Sequence, residues 1–260
     1  MSGKSLSVDI ETILKTFEGG ERSGRRVKEL KPVLFRGQGE DERIVYEVWR
    51  ELYKKQDALA IKKLGIRYDI TLIFPGLLGR ELPKTFGHYH PFSASNIAYP
   101  EIYEVLSGRA WWLIQKPKYQ NPKIIEEIYL VEGFEHEKAI MPPGFGHVSI
   151  NPEAERELIL ANWIGSMFHY DYETFENLRG AGYYLLESRE LAQSVEFEKN
   201  SYYDEAPEII KLRPREVPEL SVNWQTPLYD LIKKPENLEF LTKPEKYLEL
   251  LTIEKCFRII

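Results

Sequence analysis

The chain has 260 residues, with 35 Lys and Arg against 41 Asp and Glu, and a formal net charge of −6. Hydrophobic residues make up 43% and charged residues 29%, enough to bury a core; this excludes a disordered chain, and the acidity excludes a protein that coats nucleic acid. The single cysteine, Cys256, excludes a disulfide framework, a Cys-rich zinc ribbon and an iron–sulfur site.

The first residues, MSGKSLSVDIETILKTF, lack an apolar signal core, which predicts a cytoplasmic protein. No run of about 18 apolar residues is present, so no membrane-spanning helix is expected. Ile10, Ile13, Leu14 and Phe17 make a short amphipathic pattern ending at Gly19-Gly20. The basic cluster Arg22, Arg25, Arg26 and Lys28 reads as a solvated face or a set of ion-pair partners before it reads as a phosphate site. Residues 54–64 (KKQDALAIKKL) predict a helix stopped by Gly65.

From about residue 68 the pattern is one of short strands. Tyr68–Phe74 stops at Pro75-Gly76, and Ile102–Leu106 stops at Ser107-Gly108 with Arg109–Gln115 following at hairpin spacing. Residues 124–129, 138–141, 147–150 and 157–164 continue the series. Such spacing, with Gly and Pro between strands and 16 Tyr in the chain, indicates a β sandwich or barrel. After about 175, Pro207, Pro214, Pro218, Pro227, Pro235 and Pro244 punctuate a charged tail. Thr226-Pro227 and Lys243-Pro244 look like starts of short helices. The tail is too broken for its own core and is expected to pack on the barrel or across a subunit boundary. The predicted division is an N-terminal segment 1–65, a barrel 66–185 and an extension 186–260.

Histidine carries most of the chemical information because only five occur: His88, His90, His136, His147 and His169. In Gly87-His88-Tyr89-His90, residues i and i+2 of a strand share a face, so both imidazoles can point into a barrel as neutral metal ligands. Glu101 begins Glu101-Ile102-Tyr103-Glu104-Val105-Leu106-Ser107-Gly108, a carboxylate followed by a turn glycine. Alternation puts Glu101, Tyr103 and Val105 on one face and Glu104, the competing carboxylate, on the other. Pro142-Pro143-Gly144-Phe145-Gly146-His147-Val148-Ser149-Ile150-Asn151 delivers a third histidine from a Pro/Gly turn. Three His and one carboxylate suit a divalent first-row ion such as Fe, Mn, Ni or Zn. His136, in Glu135-His136-Glu137, reads as exposed, Trp111-Trp112 as barrel wall and Asn151 as a turn hydrogen-bonder.

These strings resemble the two-part cupin signature, H-x-H with E-x6-G followed by P-x-G-x2-H-x3-N, which implies a mostly β, jelly-roll (double-stranded β-helix) barrel with short helical additions at each end. The second part matches throughout; in the first, residues 91–100 separate His90 from Glu101, more than the general signature has. The resemblance narrows on Thr71, Phe74-Pro75-Gly76, Lys84-Thr85-Phe86-Gly87-His88-Tyr89-His90, Glu101-Ile102-Tyr103 and Pro142-Pro143 with His147 and Asn151, helped by Arg25-Arg26 and Val45-Tyr46-Glu47-Val48. Over about residues 20–185 these look like the cupin-type glucose-6-phosphate isomerases, best known from archaea. The resemblance implies metal ligands at His88, His90, Glu101 and His147, and sugar-phosphate contacts at Thr71, Thr85 and Gly87. It implies further contacts in the region of Trp163 and His169-Tyr170-Asp171-Tyr172, His169 and Tyr172 above all, where the family's usual Tyr is Trp163 and one residue is extra. It also implies a homodimer with one metal per barrel, a phosphosugar substrate and a place in glycolysis or gluconeogenesis. Glu101 and Tyr103 are the candidates for moving protons between C1 and C2, with a hydride shift as the alternative. Another phosphosugar such as mannose 6-phosphate, a metal-dependent dioxygenase or a non-catalytic sugar or metal sensor are the competing readings. No P-loop, G-x-G-x-x-G or G-x-S-x-G string indicates a nucleotide or a serine nucleophile.

Overall fold

The computed structural model describes residues 9–37, 41–166, 170–189 and 194–260. Thirteen strands form among them: β1 (Glu18–Arg26), β2 (Ile44–Tyr53), β3 (Ile66–Ile73), β4 (Glu101–Ser107), β5 (Arg109–Lys118), β6 (Asn121–Phe134), β7 (Lys138–Met141), β8 (Gly146–Ile150), β9 (Leu158–Gly165), β10 (Tyr183–Glu187), β11 (Val195–Lys199), β12 (Ile210–Pro214) and β13 (Phe257–Ile259). One sheet has six strands in the order β1-β2-β3-β9-β4-β7, a second has five in the order β13-β12-β6-β5-β8, and β10 pairs with β11 alone. The two large sheets share one hydrophobic core, the mostly β sandwich or barrel expected from the strand spacing.

Alternation within the six-stranded sheet decides where function sits. Asp69, Asn162 and Tyr103 lie abreast on the inner face of β3, β9 and β4, and Tyr68, Trp163 and Ile102 lie abreast on the outer face. In most sheets an outer face is solvated; here β3 and β9 are buried along their whole length. The tail covers them. Tyr229 stacks edge-on against Tyr68 at 4.9 Å and lies 5.4 Å from Trp163, and Phe17, just after the N-terminal helical turn Ile10–Leu14, closes the cluster at 5.4 Å from Tyr68. Short 3-10 segments at Leu228–Lys233, Pro235–Leu241 and Pro244–Lys246 bury Leu228, Leu231, Ile232, Leu238, Phe240 and Leu241. Two side chains anchor this layer to the barrel. Glu104 accepts the Leu228 N–H at 2.8 Å and pairs with buried Lys138 at 2.9 Å, and Trp163 Nε1 donates to the Leu228 carbonyl at 3.0 Å.

Two sequence expectations are modified and a third, the basic cluster, is met in part. The sheet runs through residue 65: β1 and β2 are strands of the barrel's six-stranded sheet, and β12 and β13 extend the five-stranded one, so the outer segments are woven in. β1, EGGERSGRR, escaped notice because it is nearly all exposed and carries no apolar alternation. The predicted helix forms over Ala58–Leu64 and ends at Gly65 after a 3-10 turn at Lys55–Asp57. The basic cluster splits: Arg22 pairs with Glu47, Arg26 and Lys28 with Glu42, and Arg25 lies over the rings of Phe86 and Tyr172. Among the described residues no helix is long and apolar enough to cross a membrane.

Candidate active site

His88 and His90 stand on a short extended segment that pairs with the barrel on both sides. His88 exchanges backbone hydrogen bonds with His147 on β8, and Tyr89 does the same with Asp171. Gly87 precedes them at φ +85°, where an added Cβ would lie 2.7 Å from Val148 and 2.8 Å from Phe175. Only glycine lets this segment lie against the β8 layer. The E-x6-G spacing has a similar cause: Gly108 turns β4 into β5 at φ +89°, with the Glu157 carbonyl 2.7 Å from where a Cβ would stand.

The four expected ligand residues converge. One nitrogen each from His88, His90 and His147 and one carboxylate oxygen of Glu101 all lie within 4.8 Å of one another. His88 Nε2 is 3.1 Å from His90 Nε2, and Glu101 Oε2 is 3.3 Å from Nε2 of both His90 and His147. Two other atoms of these groups are held from outside. His90 Nδ1 meets the Tyr99 carbonyl at 2.8 Å, and Asn162 Nδ2 donates to Glu101 Oε1 at 2.7 Å. Three imidazole nitrogens and a carboxylate oxygen facing one point, with Glu101 Oε2 buried and without a hydrogen-bond partner, fit a divalent cation. Glu104 is settled by β4 alternation as the outward carboxylate bound to Lys138 and Leu228.

Electrostatics suit the same occupant. Burial, together with neighbouring imidazoles, holds His88 well below the ordinary histidine value, and burial also lowers His147. Burial alone would raise Glu101, but its contacts with His147 and His90 outweigh this and keep it below the ordinary carboxylate range. The site thus offers His88 and His147 as neutral imidazoles beside an ionised carboxylate. Because the unfolded chain protonates histidine near pH 6.5 and the folded chain does not, protons favour unfolding. The chelator-treated protein is expected to hold its stability above about pH 6.5 and to lose it as pH falls toward 5. Thermal melts across pH 8 to 5 check this; a melting temperature that rises on acidification would contradict it.

Of the expected substrate contacts, Thr71, Thr85, Gly87 and Tyr172 line the same pocket as His88, Glu101 and Tyr103. Tyr103 brings its hydroxyl to 3.1 Å from His147 Nε2. Thr85 Oγ1 accepts the Ser149 N–H at 3.0 Å. Trp163 corrects the expectation: it is fully buried on the outer face of β9, turned away from the pocket because its neighbour Asn162 takes the inner face. His169 lies outside the described residues. His136 is exposed, Trp112 is fully buried wall, and Asn151 bonds Ile73 and Arg156 carbonyls as a turn residue.

Sequence reasoning missed Asn162, Asp69 and Arg67, and named Tyr170 only within the contact string His169-Tyr170-Asp171-Tyr172. Asn162 pins Glu101, Tyr170 packs its ring 4.1 Å from that of His88, and Arg67 links Tyr170 to Asp69. The available signal was polarity out of place: Arg67 and Asp69 interrupt the strand IRYDITLI, and Asn162 interrupts LILANWIG.

A family model described as glucose-6-phosphate isomerase (GPI) matches residues 24–202. Glucose-6-phosphate isomerase of Pyrococcus furiosus is 28% identical over 178 residues, covering 65% of this chain and 82% of that one. The Pyrococcus abyssi enzyme is 26% identical over 183 residues, covering 67% and 86%. Among solved structures, recombinant oxalate oxidase in complex with glycolate matches with a TM-score of 0.29 at 20% identity, over 38% of this chain and 41% of that one.

Proposed function

The chain belongs to the glucose-6-phosphate isomerase family, and from that premise we propose that it interconverts glucose 6-phosphate and fructose 6-phosphate with one divalent ion per subunit. The observation that carries the reading is the convergence of His88, His90, His147 and Glu101 beside a pocket that His88 and Glu101 line together with Thr71, Thr85 and Gly87. The ion is Fe(II), Mn(II), Ni(II) or Zn(II), all compatible with three imidazoles and a carboxylate. When bound, such an ion supplies Lewis-acid stabilisation of oxygen anions.

The protein's own residues do the rest. Asn162 occupies one oxygen of Glu101 and so fixes the direction of the other. Glu101 and Tyr103 share the inner face of β4 and are the groups that can move a proton between C1 and C2 of the sugar. The hydroxyls of Thr71 and Thr85, the Gly87 N–H and Tyr172 receive the phosphate end. The pocket is about half open to solvent, and the Arg25 guanidinium lies over the ring of Tyr172 in its lining. The enzyme acts as a homodimer, as the family resemblance implies.

Conversion of fructose 6-phosphate by protein stripped with chelator and refilled with single metals tests the reading. Activity that vanishes on stripping and returns with one or two ions supports it. Bound metal without conversion moves the assignment to another phosphosugar. Running the reaction in D2O separates the two chemistries: solvent deuterium in the product marks proton transfer, and its absence a hydride shift. Thr85→Ala is expected to raise KM about tenfold, the scale of one hydrogen bond to a charged group, with metal content unchanged. An unaltered KM would remove Thr85 from the phosphate contacts.

A further inference from the structure

We propose that Arg50 carries the positive charge that receives the sugar's phosphate, and so decides that this site takes phosphorylated sugars. The proposal deepens the isomerase reading and rests on it. Thr71, Thr85 and Gly87 offer the phosphate two hydroxyls and an N–H but no charge. A phosphate monoester carries about two negative charges at pH 7, and taking it from water into a partly enclosed site calls for a cation. Among the described residues that line the pocket, Arg50 is the only Lys or Arg.

That charge is not neutralised elsewhere. Arg50 is half-buried, and its Nη1 donates to Ser23 Oγ on β1, a neutral acceptor. This holds the guanidinium and leaves its other N–H groups for a ligand. Glu21, its cross-strand neighbour, is exposed and forms no ion pair with it, and Glu47 is taken by Arg22. The carboxylates of the lining are committed as well. Glu101 stands in the ligand cluster, and Asp69 is bound by Arg67 Nε at 2.9 Å and by the Glu51 N–H at 3.0 Å. The placement suits the phosphate end. Val48 lies opposite Thr71 in the β2–β3 ladder, and Arg50, two residues on, faces the same way. Arg50 is thus a diagonal neighbour of Thr71, about 7–8 Å between Cα atoms, a span that long side chains cover. A bulge follows it at once: the register shifts between Trp49 and Leu52, and Glu51 has φ +59° with its N–H caught by Asp69. The bulge turns Leu52 to the outer face opposite Tyr68 and leaves Arg50 aimed at the pocket.

The test uses metal-loaded wild type, Arg50→Gln, Arg50→Lys and Arg25→Gln. Two ligands are compared: arabinonate 5-phosphate, whose carboxylate stands for the enediolate, and arabinonate, which lacks the phosphate. Wild type should prefer the phosphorylated ligand. In Arg50→Gln that preference should shrink at least about tenfold, the scale of a hydrogen bond between charged groups, while metal content and affinity for arabinonate stay at wild-type levels. Arg50→Lys keeps the charge but not the planar fork, so its loss should be smaller. In both variants kcat/KM for fructose 6-phosphate should fall in step. An unchanged preference in Arg50→Gln overturns the proposal. So does a loss confined to Arg25→Gln, the arginine over the rings of Phe86 and Tyr172. Loss of metal or of arabinonate binding in both Arg50 variants would mark a structural role and overturn it too. If wild type converts no fructose 6-phosphate, the isomerase reading fails and Arg50 is judged on the two ligands alone. A preference that Arg50→Gln loses then supports the phosphate contact, and no preference in wild type overturns it.

Discussion

His147→Ala protein will carry no divalent ion and will convert fructose 6-phosphate at least about 10³-fold more slowly than wild type, while keeping its fold. Lewis-acid stabilisation is worth several kcal/mol, and about 4 kcal/mol corresponds to 10³ in rate. His147 is the one ligand delivered by β8; its Nε2 stands 3.3 Å from Glu101 Oε2 and 3.1 Å from the Tyr103 hydroxyl. Without it two imidazoles and a carboxylate remain, and Tyr103 loses its partner. The fold survives because β8 is held by its backbone ladder to β5 from Trp111↔Ile150 to Gln115↔Gly146. The cavity left by one imidazole costs about 2 kcal/mol, within the reserve of most domains. Metal analysis, circular dichroism and the conversion assay decide it together. Full metal occupancy with retained activity would remove His147 from the centre, and His147→Gln guards against a variant that merely fails to fold.

Glu104→Ala will destabilise the protein by about 3–5 kcal/mol, far more than loss of a surface carboxylate would. The substitution leaves Lys138, 1% exposed, as a buried cation without its carboxylate, and it removes the acceptor of the Leu228 N–H. Breaking one side of a buried pair carries that cost, whereas replacing both partners by apolar residues often does not. Glu104→Met with Lys138→Met should therefore recover most of what Glu104→Ala loses. Urea unfolding measures all three. A loss under about 1 kcal/mol for Glu104→Ala would mean that water reaches Lys138 and that the tail does not seal this face.

The barrel and the four-ligand cluster could be read in advance because both depend on short-range rules. Strand alternation separates Glu101 from Glu104, the E-x6-G resemblance chooses between them, and an H-x-H pair on extended chain shares a face whatever surrounds it. Trp163 shows where such rules stop. Resemblance placed it near the sugar, but β9 gives the inner face to Asn162, and only the tail, packed from far along the chain, explains why a bulky indole suits the outer one. Arg67 and Asp69 were visible as charges in an apolar strand, yet their partner Tyr170 comes from a segment 103 residues away, a pairing no local pattern reveals. β1 was hidden for the opposite reason: a glycine-rich exposed edge is held by its ladder to β2 and needs no hydrophobic signature.

The parallel pairing of β12 with β6 bears on how the chain reaches this state. Ile210 lies opposite Tyr129 and Leu212 opposite Val131. During synthesis, β6 therefore emerges with one edge bare and waits for a partner about 80 residues further on. Exposed strand edges template association with other chains, and non-local pairing of this kind slows folding. The last strands thus act as a late closure on the barrel. A chain ending near residue 205 would keep all four metal ligands and still present the β-rich run IIEEIYLV as an open seam, so aggregation rather than inactivity is the first symptom to expect of truncation.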